Sequence, residues 1–137
     1  MECTSEQLNY FRLCYIAFNL VPEGLRKVFK QEWKFLYMTT LLGEWKDIPQ
    51  NGHDFYNNEK GKSRKTYARY LATIQKGNTA KWDCSCLVFA ILSSDSIGTT
   101  LGATIRKEVD DLRQVRNDIA DIRLNLLILN SKIMQPE

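Results

Sequence analysis

The chain is predicted to fold as an all-α bundle of four to five helices, one domain spanning residues 1–137. Three observations carry this. Apolar residues recur at helical spacing in several separate stretches, no stretch alternates apolar and polar at period two, and cap or breaker residues separate the stretches. A length of 137 residues suits one domain, and 44% hydrophobic residues can furnish its core. With 26% charged and 11% aromatic residues the composition is not that of a disordered chain.

The first helix is predicted to open at Thr4-x-x-Gln7, the pattern of a capping box. From Leu8 to Val21 it is apolar on nearly every face, which predicts a central or interface position. Pro22 is expected to end it and to start the second helix, where its missing N–H costs nothing. That helix sets Leu25, Phe29, Trp33 and Leu36 on one stripe, with Arg26, Lys27, Lys30 and Lys34 on other faces. Residues 43–62 read as a long connection, punctuated by Pro49, Asn51-Gly52 and Asn57-Asn58. The third helix carries Tyr67, Tyr70, Leu71 and Ile74 and ends at Gly77-Asn78. A mostly apolar fourth helix covers Ala80 to Ser93. Gly98 and Gly102 mark a break before the last pattern, Ile105, Val109, Leu112, Ile119, Ile122 and Leu126.

The net charge of +3 permits contact with nucleic acid without demanding it. No apolar run reaches the roughly 20 residues of a membrane span, and Met1 to Gln7 lacks the character of a signal peptide. No membrane partner is therefore expected. Cys3, Cys14, Cys84 and Cys86 do not form a Cys-dense secreted framework. Cys84-Ser85-Cys86 lacks a second ligand pair, so its thiols are read as reduced core residues in a cytoplasmic protein, with no metal and no cofactor. His53 is read as a solvent-exposed loop residue, and Trp33, Trp45 and Trp82 as core anchors.

Lys60, Lys62, Arg64, Lys65 and Arg69 form a basic run without an acid, interleaved with Tyr67 and Tyr70. Cations for phosphates and rings for stacking make a single-strand nucleic-acid patch. The same run also fits a solvated helix start with both tyrosines in the core.

The stretch Arg116-Asn117-Asp118-Ile119-Ala120-Asp121 resembles the Arg-x4-His motif of HEPN domains, with Asp121 in place of the His. Further pieces are similar to the HEPN type found in the DAZ-interacting RNA-binding RING ubiquitin ligase and in innate-immune-like proteins. They are Leu8-Asn9-Tyr10-Phe11-Arg12, Val21-Pro22-Glu23-Gly24-Leu25-Arg26, Trp45-Lys46-Asp47, Gln50-Asn51-Gly52, Trp82-Asp83-Cys84 and Val109-Asp110-Asp111-Leu112-Arg113. The resemblance covers roughly residues 6–121 and fades after Asp121, as expected of a C-terminally truncated or divergent copy.

The resemblance implies a bundle that pairs with itself or with another HEPN domain. In catalytic members, Arg holds the RNA phosphate and His shuttles the proton without metal. Asp121 cannot do the second job, because an ordinary carboxylate is ionised at neutral pH and repels a phosphate. Five residues along a regular helix also differ by about 140°, so Arg116 and Asp121 should not face each other. The expectation is a non-catalytic module for dimerisation and RNA or nucleotide binding within a regulatory protein. Its expected contacts are Lys60, Lys62, Arg64, Lys65, Arg69 and Arg116. A protein-interaction scaffold without nucleic acid and an endoribonuclease with a degenerate motif are the alternatives. From the residues alone Arg116 reads rather as a solvated helix arginine or one salt-bridged to Asp110, Asp111 or Asp118, and only the resemblance brings the phosphate-gripping reading level with it. Asn117 and Asp118 are expected to cap a helix or to hold Arg116.

Overall fold

The computed structural model describes residues 4–133, with the side chains at 123, 124, 126, 127 and 130–133 left out, so Cys3 and the side chain of Leu126 lie outside the described part. Every regular element among the described residues is helical. The helices join into rods over 5–37, 49–58, 61–74, 84–93 and 103–133, an all-α bundle as the periodicity predicts.

Helix α1 (Ser5–Tyr15) opens on the predicted capping box: Thr4 Oγ1 accepts the Gln7 N–H at 3.1 Å, and Gln7 Oε1 accepts the Thr4 N–H at 2.9 Å. Pro22, however, does not end the rod. Helix α1 runs through a π-type turn, Ile16–Leu20, directly into α2 (Val21–Tyr37). In the wider turn the Val21 N–H reaches the carbonyl of Ile16, five residues back. The ladder has thus left α register where a proline would collide with the carbonyl four before it. Nor is α1 central. It buries no side chain among its own residues; Phe11 and Tyr15 are more than half exposed, at 55% and 57%.

On α2, Leu25, Phe29 and Trp33 are fully buried and Leu36 packs at their edge. Arg26 is not a solvated cation. Its Nε donates to the Thr79 carbonyl at 2.8 Å and its Nη2 to the Trp82 carbonyl at 3.2 Å, tying the later chain to α2. Trp33, Trp45 and Trp82 all sit in the core.

The expected long connection at 43–62 contains a helix, α3 (Pro49–Asn58). Its Asn51-Gly52, a turn signal in isolation, lies inside the helix because tertiary contacts use both residues. Buried Asn51 accepts the Lys46 N–H at 2.8 Å and donates to the Glu44 carbonyl at 3.2 Å, closing the loop before it. Gly52 lets the backbone of the next rod approach: a Cβ there would stand 2.4 Å from the carbonyl oxygens of Ile74 and Gln75. Phe55 anchors the helix against Trp33 and Phe29. His53 is therefore helical rather than in a loop, although it is exposed as expected.

The loop into α3 turns on Asp47, in the left-handed region at φ 57°. Its carboxylate accepts from Lys30 Nζ at 2.7 Å, Trp45 Nε1 at 2.9 Å, the Thr79 N–H at 3.1 Å and Thr79 Oγ1 at 2.8 Å. One side chain thereby joins α2, the loop and Thr79.

The third predicted helix is bent. Helices α4 (Gly61–Thr66) and α5 (Ala68–Ile74) meet at Tyr67, whose backbone (φ −112°, ψ 25°) leaves helical geometry. A 3₁₀ turn, Thr79–Lys81, precedes α6 (Cys84–Val88). Asp83 caps α6 by accepting the Cys86 N–H at 2.8 Å, and the rod continues as a π-type turn, Phe89–Ser93.

Buried Glu59 clasps the next loop. It accepts from Ser63 Oγ at 2.6 Å, the Asp95 N–H at 3.1 Å, and the Ser96 N–H and Oγ at 3.2 Å each. These bonds fix the start of α4 beside residues 94–97. Helix α7 (Ala103–Ile133) closes the bundle with Val109 and Ile119 buried. Among the described residues no helix is long and apolar enough to cross a membrane.

Candidate nucleic-acid interface

Aromatic packing sets the floor of the candidate site. The Tyr67 and Tyr70 ring centroids lie 4.4 and 5.5 Å from that of Phe89 on the π-type turn. Their faces belong to the core, while both residues remain partly exposed. The two readings of these tyrosines are thus not exclusive.

Three concavities follow one another along this face. The middle one, about 310 Å³, is lined by Tyr67, Tyr70, Ser85, Arg113, Arg116 and Asn117, among others. On one side, sharing Tyr67 and Ser93 with it, lies a concavity of about 280 Å³ with Lys60, Lys62 and Asp95. On the other, sharing Tyr70 and Ser85, lies one of about 260 Å³ with Arg69, Lys81 and Asp83. Lys60, Lys62, Arg69 and Arg116, all expected as contacts, thus line adjoining concavities although Arg116 is far from the others in sequence.

Arg64 and Lys65 are not among the lining residues. Arg64 folds back on α3: its guanidinium lies 4.4 Å from the Tyr56 ring centroid and donates to the Tyr56 carbonyl at 3.3 Å. It is a structural cation, since both contacts tie α4 to α3. Lys65 is exposed.

Arg116 is the least ordinary of the cations. Its guanidinium carbon stands 5.5 Å from the Phe18 ring centroid, a cation–π distance. Its Nε is buried without a hydrogen-bond partner. The expected pairing with Asp110, Asp111 or Asp118 does not form: Asp110 binds Arg113 at 2.8 Å, and Asp118 accepts from Gln114 at 2.9 Å. Asp118 therefore does not hold Arg116, and neither it nor Asn117 caps a helix, since both lie inside α7. A half-buried guanidinium that no acid among the described residues pairs with is suited to an incoming anion.

Asp121 is exposed and is not among the residues lining these concavities. Both motif positions lie on α7, and among the described residues the concavities lined by Arg116 do not include Asp121.

The thiols nearby are suited to packing. Burial raises the Cys84 pKa despite Arg116 and Arg113, and pushes Cys86 up to about 12. Both remain protonated at neutral pH, and Cys14, Cys84 and Cys86 are unpaired. Among the described residues no group of His, Cys, Asp and Glu has the arrangement of a metal site.

Arg113 and Lys81 belong to the site but were not singled out by the sequence. Arg113 had a signal, standing three residues before Arg116 on the same helix face. Lys81 had none, because only the packing of the 79–81 turn brings it beside Arg69. No family model matches the chain, and no curated protein or solved structure matches it either.

Proposed function

We propose that this chain is a HEPN-like, non-catalytic module that binds RNA or a nucleotide within a regulatory protein of the ubiquitin-ligase-like or innate-immune-like kind. The observation that carries the reading is that the concavity of Arg116 adjoins that of Lys60 and Lys62, with Tyr67 shared between them. Arg116 supplies a fork for phosphate, and the lysines supply flexible charge. Asp121 supports the non-catalytic part, since a carboxylate stands at the position of the motif's proton shuttle. Unpaired thiols fit a cytoplasmic setting.

Pairing with a second copy or another HEPN domain through α1 belongs to the same proposal. Leu8, Phe11, Tyr15, Ile16 and Leu20 leave an apolar surface that a partner helix would cover.

Anisotropy with labelled single-stranded RNA at two salt concentrations tests the reading. Binding is expected to be weak and to fall steeply with salt, because bound cations release counterions. Charge reversal at both Lys60 and Lys62 should weaken it at least about tenfold with helicity unchanged, equivalent to about 1.4 kcal/mol. The RNA should stay intact in chelator. Absence of binding at low salt would favour the protein-interaction scaffold, and cutting that Arg116→Ala abolishes would favour the ribonuclease. Light scattering on the same samples reads the pairing.

A further inference from the structure

Taking nucleic-acid binding as its basis, the geometry points to an oligonucleotide strand as the ligand, laid across all three concavities, rather than a mononucleotide held in one. The two outer concavities share no lining residue with each other, yet each shares two with the middle one. That order makes a path, not a single chamber. Volumes of about 280, 310 and 260 Å³ lie at or below the bottom of the range for small-molecule pockets, roughly 300–1,000 Å³. Each therefore holds only a short piece of strand.

Cations stand at every station: Lys60 and Lys62 at one end, Arg116 with the Asp110-paired Arg113 in the middle, Arg69 and Lys81 at the other. Each of the two lining acids, Asp95 and Asp83, is outnumbered by two cations at its own station and is held in place by a backbone N–H. Asp95 accepts the Lys60 N–H at 2.8 Å, and Asp83 caps α6. Phosphates spaced along a strand would meet charge at three successive positions, with tyrosine edges between them. A single nucleotide would use only one. Lys81 is the residue this path adds, and its exposed side chain makes it a clean probe.

The test uses the full chain with uridine oligomers of two and eight nucleotides, and uridine monophosphate as competitor. The octamer should bind at least about tenfold more tightly than the dimer. Lys81→Glu should weaken the octamer several-fold and reduce the salt slope by about 0.7, the value for one lost phosphate contact on a single strand. It should leave the dimer unaffected, because two nucleotides can settle at the other stations. Lys107→Glu, on the exposed side of α7, should change neither. If the monophosphate competes as well as the octamer, or Lys81→Glu leaves the octamer and its salt slope unchanged, the strand path is overturned. The nucleic-acid reading still stands in that case, provided that reversal at Lys60 and Lys62 remains damaging. If no oligomer binds at low salt, both fall together.

Discussion

Replacing Phe29 by alanine is expected to cost about 3–5 kcal/mol, the range for emptying a buried aromatic position. Phe29 is fully buried, and its ring meets four others. It lies edge-on to Trp45 at 4.8 Å and to Trp82 at 4.9 Å, and tilted to Trp33 and Phe55 at 6.1 Å each. Edge-to-face pairs add about 0.5–1.5 kcal/mol beyond area burial. The truncation removes these pairs together, and the surrounding helices can close the void only in part. Phe29→Leu keeps most of the volume and should cost roughly half as much or less. Urea unfolding followed by tryptophan fluorescence reads both, since all three tryptophans border the site. A loss below about 1 kcal/mol for Phe29→Ala would mean that the four rings do not meet there.

Asp47 carries the second large effect, and its signature is pH dependence. Burial alone would raise its pKa. The Lys30 ammonium, the Thr79 N–H and hydroxyl and the Trp45 indole outweigh burial and lower it from 3.8 to about 2. A group held below its unfolded value stabilises the fold above the unfolded pKa. That contribution is lost as pH falls from about 4 towards about 2. The full shift corresponds to about 2.4 kcal/mol, but a third of the side chain still meets water, so about 1–2 kcal/mol is expected.

Asp47→Ala should lose this and add about 1 kcal/mol of left-handed backbone strain that Asp tolerates better. Asp47→Asn keeps an acceptor and the backbone preference but not the charge. Its stability should be lower at pH 7 and flatter between pH 4 and 2 than that of the parent chain. Parallel pH profiles for the two proteins would rule out the carboxylate as the source.

How much was legible in the sequence differs from element to element, for identifiable reasons. The capping box at Thr4, the stripe on α2, the core tryptophans and the breaks near Gly77 and Gly98 are local matters. They depend on side-chain spacing and on which backbone groups lack partners. The sequence alone therefore determined that the chain is helical and where most of the rods lie.

Other features depended on residues far along the chain. Asn51-Gly52 reads as a turn until the Glu44 carbonyl and the α5 backbone claim it as the inside of a helix. Pro22 reads as a stop until the π-type turn removes the carbonyl it would strike. Arg64 reads like its neighbours in the basic run until Tyr56 takes it inward, while Lys81 reads as an isolated lysine until packing sets it beside Arg69. The sequence specified the helices and the chemistry available on them. Only the tertiary structure decided which cations share a face, because that depends on how rods distant in sequence pack around the rings of Phe29 and Phe89.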